Sequence, residues 1–201
     1  MVKNVVEKYA QSENFLNHRL IVVILLGFSG FLRISDLLDV RIKDVIFTQN
    51  DLQIMIHKAK NDQLPKGHIV HIARTGSPYC PVYWTEKYIN ETDLKSDPDA
   101  YLICRLAKTK EGHRAIGKYR LSDTTIREYF GRDIKPICET LEKGSYSLHS
   151  LRSGGASTAS NNGVSERLIG KHGRWKSGFS RDRYIKDSKK VRRTVSEALG
   201  L

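Results

Sequence analysis

The chain has 201 residues, 39% of them hydrophobic and 28% charged, which supplies a sizeable core and excludes a disordered, collagen-like or rod-like protein. Thirty-four Lys and Arg against 22 Asp and Glu leave a formal charge of +12, so the expected partner is polyanionic, nucleic acid ahead of an anionic membrane. The longest apolar run, Leu20 to Phe28, is about half of the ~18 residues a membrane span needs, and the Lys-bearing start lacks a secretory pattern, so an intracellular protein is expected. In chain order, Phe15, Leu16, Leu20, Val23, Ile24 and Gly27 recur at helical spacing and predict a mostly buried helix over Glu13–Phe28, broken by Ser29-Gly30. A shorter helix is predicted for Arg33–Val40, with Ile34, Leu37 and Leu38 inward. Val45–Phe47, Leu52–Met55 and Ile69–Ile72 read as three short antiparallel strands, the second turn being long and Lys-rich. Pro81 opens a helix carrying Tyr83, Trp84, Tyr88 and Ile89, and Glu91–Asp99 is a polar connection. Residues 105–120 are basic and irregular and read as a mobile surface loop. Ser122 or Asp123 caps a helix running towards Lys143, kinked or broken at Gly131 and Pro136. Ser147 caps a helix through Ser160, short helices follow at Ser165–Gly170 and Ser180–Lys186, and Val191, Val195 and Leu199 form the apolar stripe of a terminal helix. The expected fold class is mainly α with a small three-stranded antiparallel sheet (α+β), in one domain.

Charge concentrates towards the end. Between Arg167 and Arg193 there are eleven Lys and Arg against Asp182 and Asp187. A solvated basic face is the ordinary outcome of such a run. Here it adjoins the motif residues below, and Arg174, Lys176, Arg181, Lys189 and Arg192 are the expected DNA contacts. Cys80, Cys104 and Cys138 are too widely spaced for a zinc pattern or a disulfide framework. No three acids are organised to hold divalent ions, and Gly154-Gly155 lacks the following Lys-Ser/Thr of a nucleotide loop. No cofactor and no metal are expected.

Four stretches occur in order: Gly30-Phe31-Leu32-Arg33-Ile34-Ser35-Asp36-Leu37-Leu38; Lys58-Ala59-Lys60-Asn61-Asp62; Leu148-His149-Ser150-Leu151-Arg152-Ser153-Gly154-Gly155; and Gly173-Arg174-Trp175, with Tyr184 nine residues after Trp175. Together they resemble the catalytic domain of the tyrosine recombinase (phage integrase) family, from residue 13 to about 200. The family pattern of Arg, Lys, His-x-x-Arg, His or Trp, then Tyr is filled by Arg33, Lys60, His149, Arg152, Trp175 and Tyr184. Lys58 shares the turn with Lys60, and the family spacing selects Lys60. Asp36 is expected to orient Arg33 or His149.

These residue types suit phosphodiester chemistry. Negative charge concentrates on the non-bridging oxygens as a nucleophile adds, and two forked guanidiniums, Arg33 and Arg152, are a natural clamp for it. Tyr184 offers a phenol that can attack phosphorus and stay attached, conserving the energy of the broken bond so that religation needs no ATP. His149 can donate to the phosphate or handle the phenol's proton, Trp175 can offer its indole N–H, and Lys60 can protonate the leaving 5′ oxygen. Each has an ordinary alternative. Arg33 can be a surface arginine paired with Asp36, His149 and Trp175 can be packing residues, Tyr184 is one of nine tyrosines, and His172 competes with Trp175.

The resemblance implies a DNA breaking and rejoining enzyme working through a 3′-phosphotyrosyl intermediate on double-stranded DNA. It implies a homo-tetramer in the synapse, a monomer being the alternative without DNA, and no membrane partner. The N-terminal clamp domain usual in the family is absent from these 201 residues, and residues 187–201 suit a helix docking on a neighbouring protomer. Gly67, Cys80-Pro81 and Gly173-Arg174-Trp175-Lys176-Ser177 look like eukaryotic mobile-element recombinases of the Crypton and DIRS-like kind. That lineage implies a nuclear location, with Lys189-Lys190-Val191-Arg192-Arg193 as an import signal; otherwise the cytoplasm or nucleoid is expected. The rivals are a non-catalytic DNA-binding module on the same scaffold and a type IB topoisomerase.

Overall fold

A computed structural model describes residues 1–57, 67–110, 112–139 and 146–199. Its centre is α2 (Phe15–Ser29), capped by the Asn14 side chain, which accepts from the Leu16 N–H at 2.9 Å. An unbroken run from His18 to Gly27 is buried, because α2 is apolar nearly all round and is covered on several sides. The covering helices are α1 (Val2–Tyr9), α4 (Pro81–Glu91) and α7 (Leu148–Asn161). Each fully buried Leu, Ile or Val contributes roughly 1.5–3 kcal/mol of transfer free energy. Gly155 sets the approach of α7 to α2: a Cβ there would lie 2.1 Å from the Phe28 carbonyl oxygen. Helix α1 falls where the sequence reads as a polar lead. Val2, Val5, Val6 and Tyr9 make a helical stripe that the interleaved Lys3, Asn4, Glu7 and Lys8 obscure, and Val5 and Val6 are buried.

The short helix α3 (Ile34–Leu38) follows α2, with Arg33 at its N-cap. Strands β1 (Val45–Phe47), β2 (Asp51–Ile56) and β3 (His68–Ala73) form the expected antiparallel sheet in the order β1-β2-β3. Leu52 pairs with both Phe47 and Ile72, which puts Leu52, Ile54, Ile56, Val70 and Ile72 on the buried face. Helix α4 begins with Pro81 in its first turn, where no amide is needed, and a 3₁₀ turn at Leu94–Ser96 interrupts the connection after it.

Residues 105–109 and 112–120 are not a loop. They belong to a second sheet, the antiparallel hairpin of β4 (Cys104–Thr109) and β5 (Gly112–Arg120). Only Leu106 and its partner Ala115 give this hairpin a core-facing pair, too short an alternation to stand out among its basic residues. The helix predicted from Ser122 is capped by that residue, which accepts from the Thr125 N–H at 3.0 Å. It divides as the glycine and proline require: α5 (Asp123–Tyr129), a π-helical turn at Phe130–Ile134 containing Gly131, and α6 (Lys135–Glu139) containing Pro136.

After α7 come α8 (Glu166–His172), α9 (Gly178–Asp182) and α10 (Lys189–Glu197). Helix α9 begins earlier than predicted because Ser177 is its cap, accepting from the Ser180 N–H at 3.2 Å, and it ends before Tyr184. Helix α10 buries nothing; Val195 and Leu199 are 71% and 66% exposed. No helix among the described residues is long and apolar enough to cross a membrane.

Candidate active site

Ser147 opens α7 with a reciprocal cap to Ser150, and the first turns of the helix present His149 and Arg152, three residues apart, towards one face. Arg152 is 1% exposed. Its Nη1 donates to the Phe31 carbonyl and its Nη2 to the Gly173 carbonyl at 2.6 Å. One guanidinium thus ties α7 to the α2–α3 turn and to the end of α8. The turn delivers the Phe31 carbonyl because Phe31 takes a left-handed conformation, φ 47°, after α2 ends. Burial, with Arg174 and Arg33 nearby, pushes the Arg152 pKa down to about 10, which leaves it charged at neutral pH.

Asp36, on α3, collects two arginines. Its Oδ2 accepts from Arg174 Nη2 at 3.0 Å and lies 3.8 Å from Arg33 Nη1. The Arg174 side chain is only 3% exposed, whereas that of Arg33 is 40% exposed and open to a ligand. Arg174 has φ 59°, a conformation that costs a side-chain-bearing residue of order 1 kcal/mol or more, and the Asp36 contact is what occupies the resulting side-chain direction. Burial lowers the Arg174 pKa and Asp36 opposes that effect.

Tyr184 closes the constellation. Its ring centroid lies 5.0 Å from that of His149 and 5.1 Å from that of Trp175, and the Arg152 guanidinium sits 5.2 Å from its ring and 4.5 Å from the Trp175 ring. Gly173 permits this stacking, since a Cβ on it would come within 2.0 Å of Trp175. Burial, then the charges of Arg152 and Arg33, lower the His149 pKa, so its imidazole is neutral at pH 7 and able to accept a proton. Arg152 Nε, Arg174 Nε and Nη1, and Trp175 Nε1 are buried with no hydrogen-bond partner among the described residues. Orphaned donors of this kind cost roughly 1–3 kcal/mol each, and a cluster of them on cationic side chains matches an anionic ligand. Beside Arg152 opens a cavity of about 590 Å³, lined by Arg33, Arg127, Lys135, His149 and Arg152 among others. Among the described residues, no group of His, Cys, Asp and Glu could hold a metal ion.

The phage integrase family model matches residues 2–190. The chain belongs to that family. It is 28% identical over 170 residues to an integrase/recombinase XerD homolog of Selenomonas ruminantium, a match covering 81% of this chain and 46% of the relative, so the chain spans about half that relative's length. Among solved structures it is similar to the XerH site-specific recombinase in its post-cleavage complex with palindromic difH DNA, with TM-score 0.71, 15% identity, and 97% of this chain and 50% of that one covered. The XerA recombinase gives TM-score 0.69 at 20% identity, covering 98% and 60% of the two chains. The architecture is that of tyrosine recombinase catalytic domains.

Within this integrase-family fold, Arg33, Asp36, His149, Arg152, Trp175 and Tyr184 come together from α3, α7 and the segments after α8 and α9. Lys60 lies outside the described residues. Asp36, expected to orient Arg33 or His149, lies 3.8 Å from Arg33 and makes its shorter contact to Arg174, at 3.0 Å. Arg174, expected among the DNA contacts, is turned inward by that pair and does not face solvent in this structure. Arg181 is largely covered by ion pairs with Glu166 and Asp182, each at 2.7 Å, while Lys176, Lys189 and Arg192 are exposed. His172 is excluded from the cluster: its Nε2–H donates to the Ser29 carbonyl at 2.8 Å and its ring packs edge-on against Phe31. The sequence reading missed Arg127 and Lys135. Arg127 lies one helical turn beyond the Ser122-capped start of α5, a spacing that points it to the same side as Asp123, and that was the available signal.

Proposed function

We propose that this integrase-family chain is a DNA-breaking and rejoining enzyme, a site-specific recombinase or transposon integrase whose nucleophile is Tyr184. The observation that carries the reading is the convergence of the Tyr184 ring with His149, Trp175 and the buried Arg152 guanidinium. The phenolic oxygen attacks the scissile phosphorus, the bond to the 5′ oxygen breaks, and a 3′-phosphotyrosyl ester forms. His149 takes the phenol's proton, and Lys60 supplies one to the leaving oxygen. Arg33 and Arg152 hold the non-bridging oxygens as their charge grows, with the Trp175 indole N–H as a further donor. Attack by a 5′-hydroxyl reverses the sequence, so no external energy source enters.

Double-stranded DNA is the partner this reading requires; the XerH relatives were solved on difH DNA and a lambda integrase dimer on a core site. Helix α10, none of whose residues is buried, is proposed to dock on a neighbouring protomer within a tetrameric synapse. The finer lineage reading, a Crypton or DIRS-like element acting in a nucleus, rests on Gly173-Arg174-Trp175-Lys176-Ser177, whereas the Selenomonas relative is bacterial.

Incubation with a nicked suicide duplex tests the mechanism. The natural chain is expected to give a DNA adduct that survives SDS and the Tyr184→Phe variant none. An unchanged yield from the variant removes Tyr184 from the reaction.

A further inference from the structure

Beyond His149 and Arg152, the same helix reaches the segment that carries the phenol. Ser157 Oγ–H donates to the Tyr184 carbonyl at 3.2 Å, and the same Oγ accepts from the Lys186 N–H at 2.8 Å. One turn further, Asn161 Nδ2 donates to the Lys186 carbonyl at 3.0 Å, and its Oδ1 accepts from the Ser188 N–H at 2.8 Å. Four hydrogen bonds from two side chains therefore grip alternate residues, 184, 186 and 188. Little else fixes this stretch. The amides of Tyr184 and Ile185 turn back to Arg181 and Asp182, α9 and α10 on either side bury no side chain, and the remaining packing comes from the Tyr184 ring on His149 and Trp175 and from Ile185 against a small cluster around Phe31, Ala156 and Ile169.

We propose that Ser157 and Asn161 are positioning residues for Tyr184. They form a latch built on the helix that also carries His149 and Arg152, so one rigid element sets the distance between nucleophile and phosphate clamp. Residues four apart on a helix share a face, which is why one extended segment can meet both. Asn161 also ends on Ser188, whose Oγ caps α10 by accepting from the Val191 N–H at 3.2 Å, so the latch separates Tyr184 from any movement of that terminal helix. The inference rests on the reading of Tyr184 as nucleophile, and its test is chosen to keep the two apart.

The test uses the full chain with Ser157→Ala, Asn161→Ala, the double variant and Ser157→Thr, which keeps the hydroxyl. Three quantities are read: DNA affinity, the first-order rate of adduct formation at saturating suicide duplex, and the ring resonances of Tyr184 in ¹³C-tyrosine-labelled protein. Each alanine is expected to slow adduct formation about tenfold and the pair about a hundredfold, because a misplaced nucleophile forfeits rate and not binding. Affinity stays unchanged, Ser157→Thr restores the rate, and the Tyr184 resonances lose the ring-current shifts of His149 and Trp175. Unmoved resonances with an unmoved rate overturn the latch, as does a fall in affinity that matches the fall in rate. Absence of any adduct from the natural chain, with resonances that still move in the variants, overturns the nucleophile and with it the purpose of the latch.

Discussion

The two sides of the site are built by different forces. Arg152 stands on α7, which packs against the buried helix α2, and its guanidinium is buried and locked by two carbonyls. Tyr184 stands in the C-terminal region, where α9 and α10 bury no side chain and α8 buries only Ile169, and where hydrogen bonds and ion pairs do the holding. Apolar burial makes the proposed clamp a fixed frame; polar contacts, which exchange readily with water, leave the proposed nucleophile adjustable. The proposed reaction, which runs forwards and backwards, uses both: charge stabilisation ready before the phosphate arrives, and a phenol that can advance and withdraw.

The sharpest way to break this contrast is at its fixed side. Arg152→Ala removes two carbonyl contacts and the buried cation together, so adduct formation is expected to fall roughly 10²–10³-fold, with a clear drop in thermal midpoint measured on the same preparation. Arg152→Lys keeps the charge but not the fork that spans the Phe31 and Gly173 carbonyls, and is expected to recover little. Rate loss without a change in midpoint separates catalysis from framework and ends the idea that one guanidinium serves both.

Asp36→Asn probes the seam between the sides, since Asp36 on α3 faces Arg174 from the C-terminal region and both are buried. Removing the carboxylate leaves Arg174 charged and unneutralised, which costs about 3 kcal/mol in chemical denaturation. Replacing both partners, Asp36→Leu with Arg174→Met, is expected to restore most of that stability without restoring cleavage, because Arg33 then loses its only described acidic neighbour. A double variant that cleaves as well as the natural chain shows that Asp36 does not orient Arg33.

The same division decides how much was legible in the sequence. Helix α2 and strands β1–β3 declare themselves through apolar periodicity, a local signal, whereas Arg33, His149, Arg152, Trp175 and Tyr184 are legible only through the order and spacing they share with the family pattern. The β4–β5 hairpin was hidden, since a two-stranded sheet with one inward pair leaves almost no alternation to read. The inward turn of Arg174 was hidden for a related reason: a left-handed backbone and a partner 138 positions away set its direction, and neither is encoded nearby. The latch was equally silent, for Ser157 and Asn161 look like ordinary polar positions until the chain beyond α9 lies against them.

The smallest effect is expected at the loosest end. Lys189 and Arg192 are exposed on α10, which contributes no buried side chain, so Lys189→Gln with Arg192→Gln leaves the thermal midpoint unaltered. If both reach phosphates, the pair weakens DNA binding several-fold at low salt and reduces the slope of log affinity against log salt by about 2, one unit per lost contact. The rate of adduct formation at saturating DNA stays the same, since neither residue touches the Tyr184 cluster. A changed slope with an unchanged saturated rate marks α10 as a tether to the polyanion; a changed rate with an unchanged slope requires a path from α10 to Tyr184, and the only covalent route runs through Ser188, where Asn161 holds the backbone.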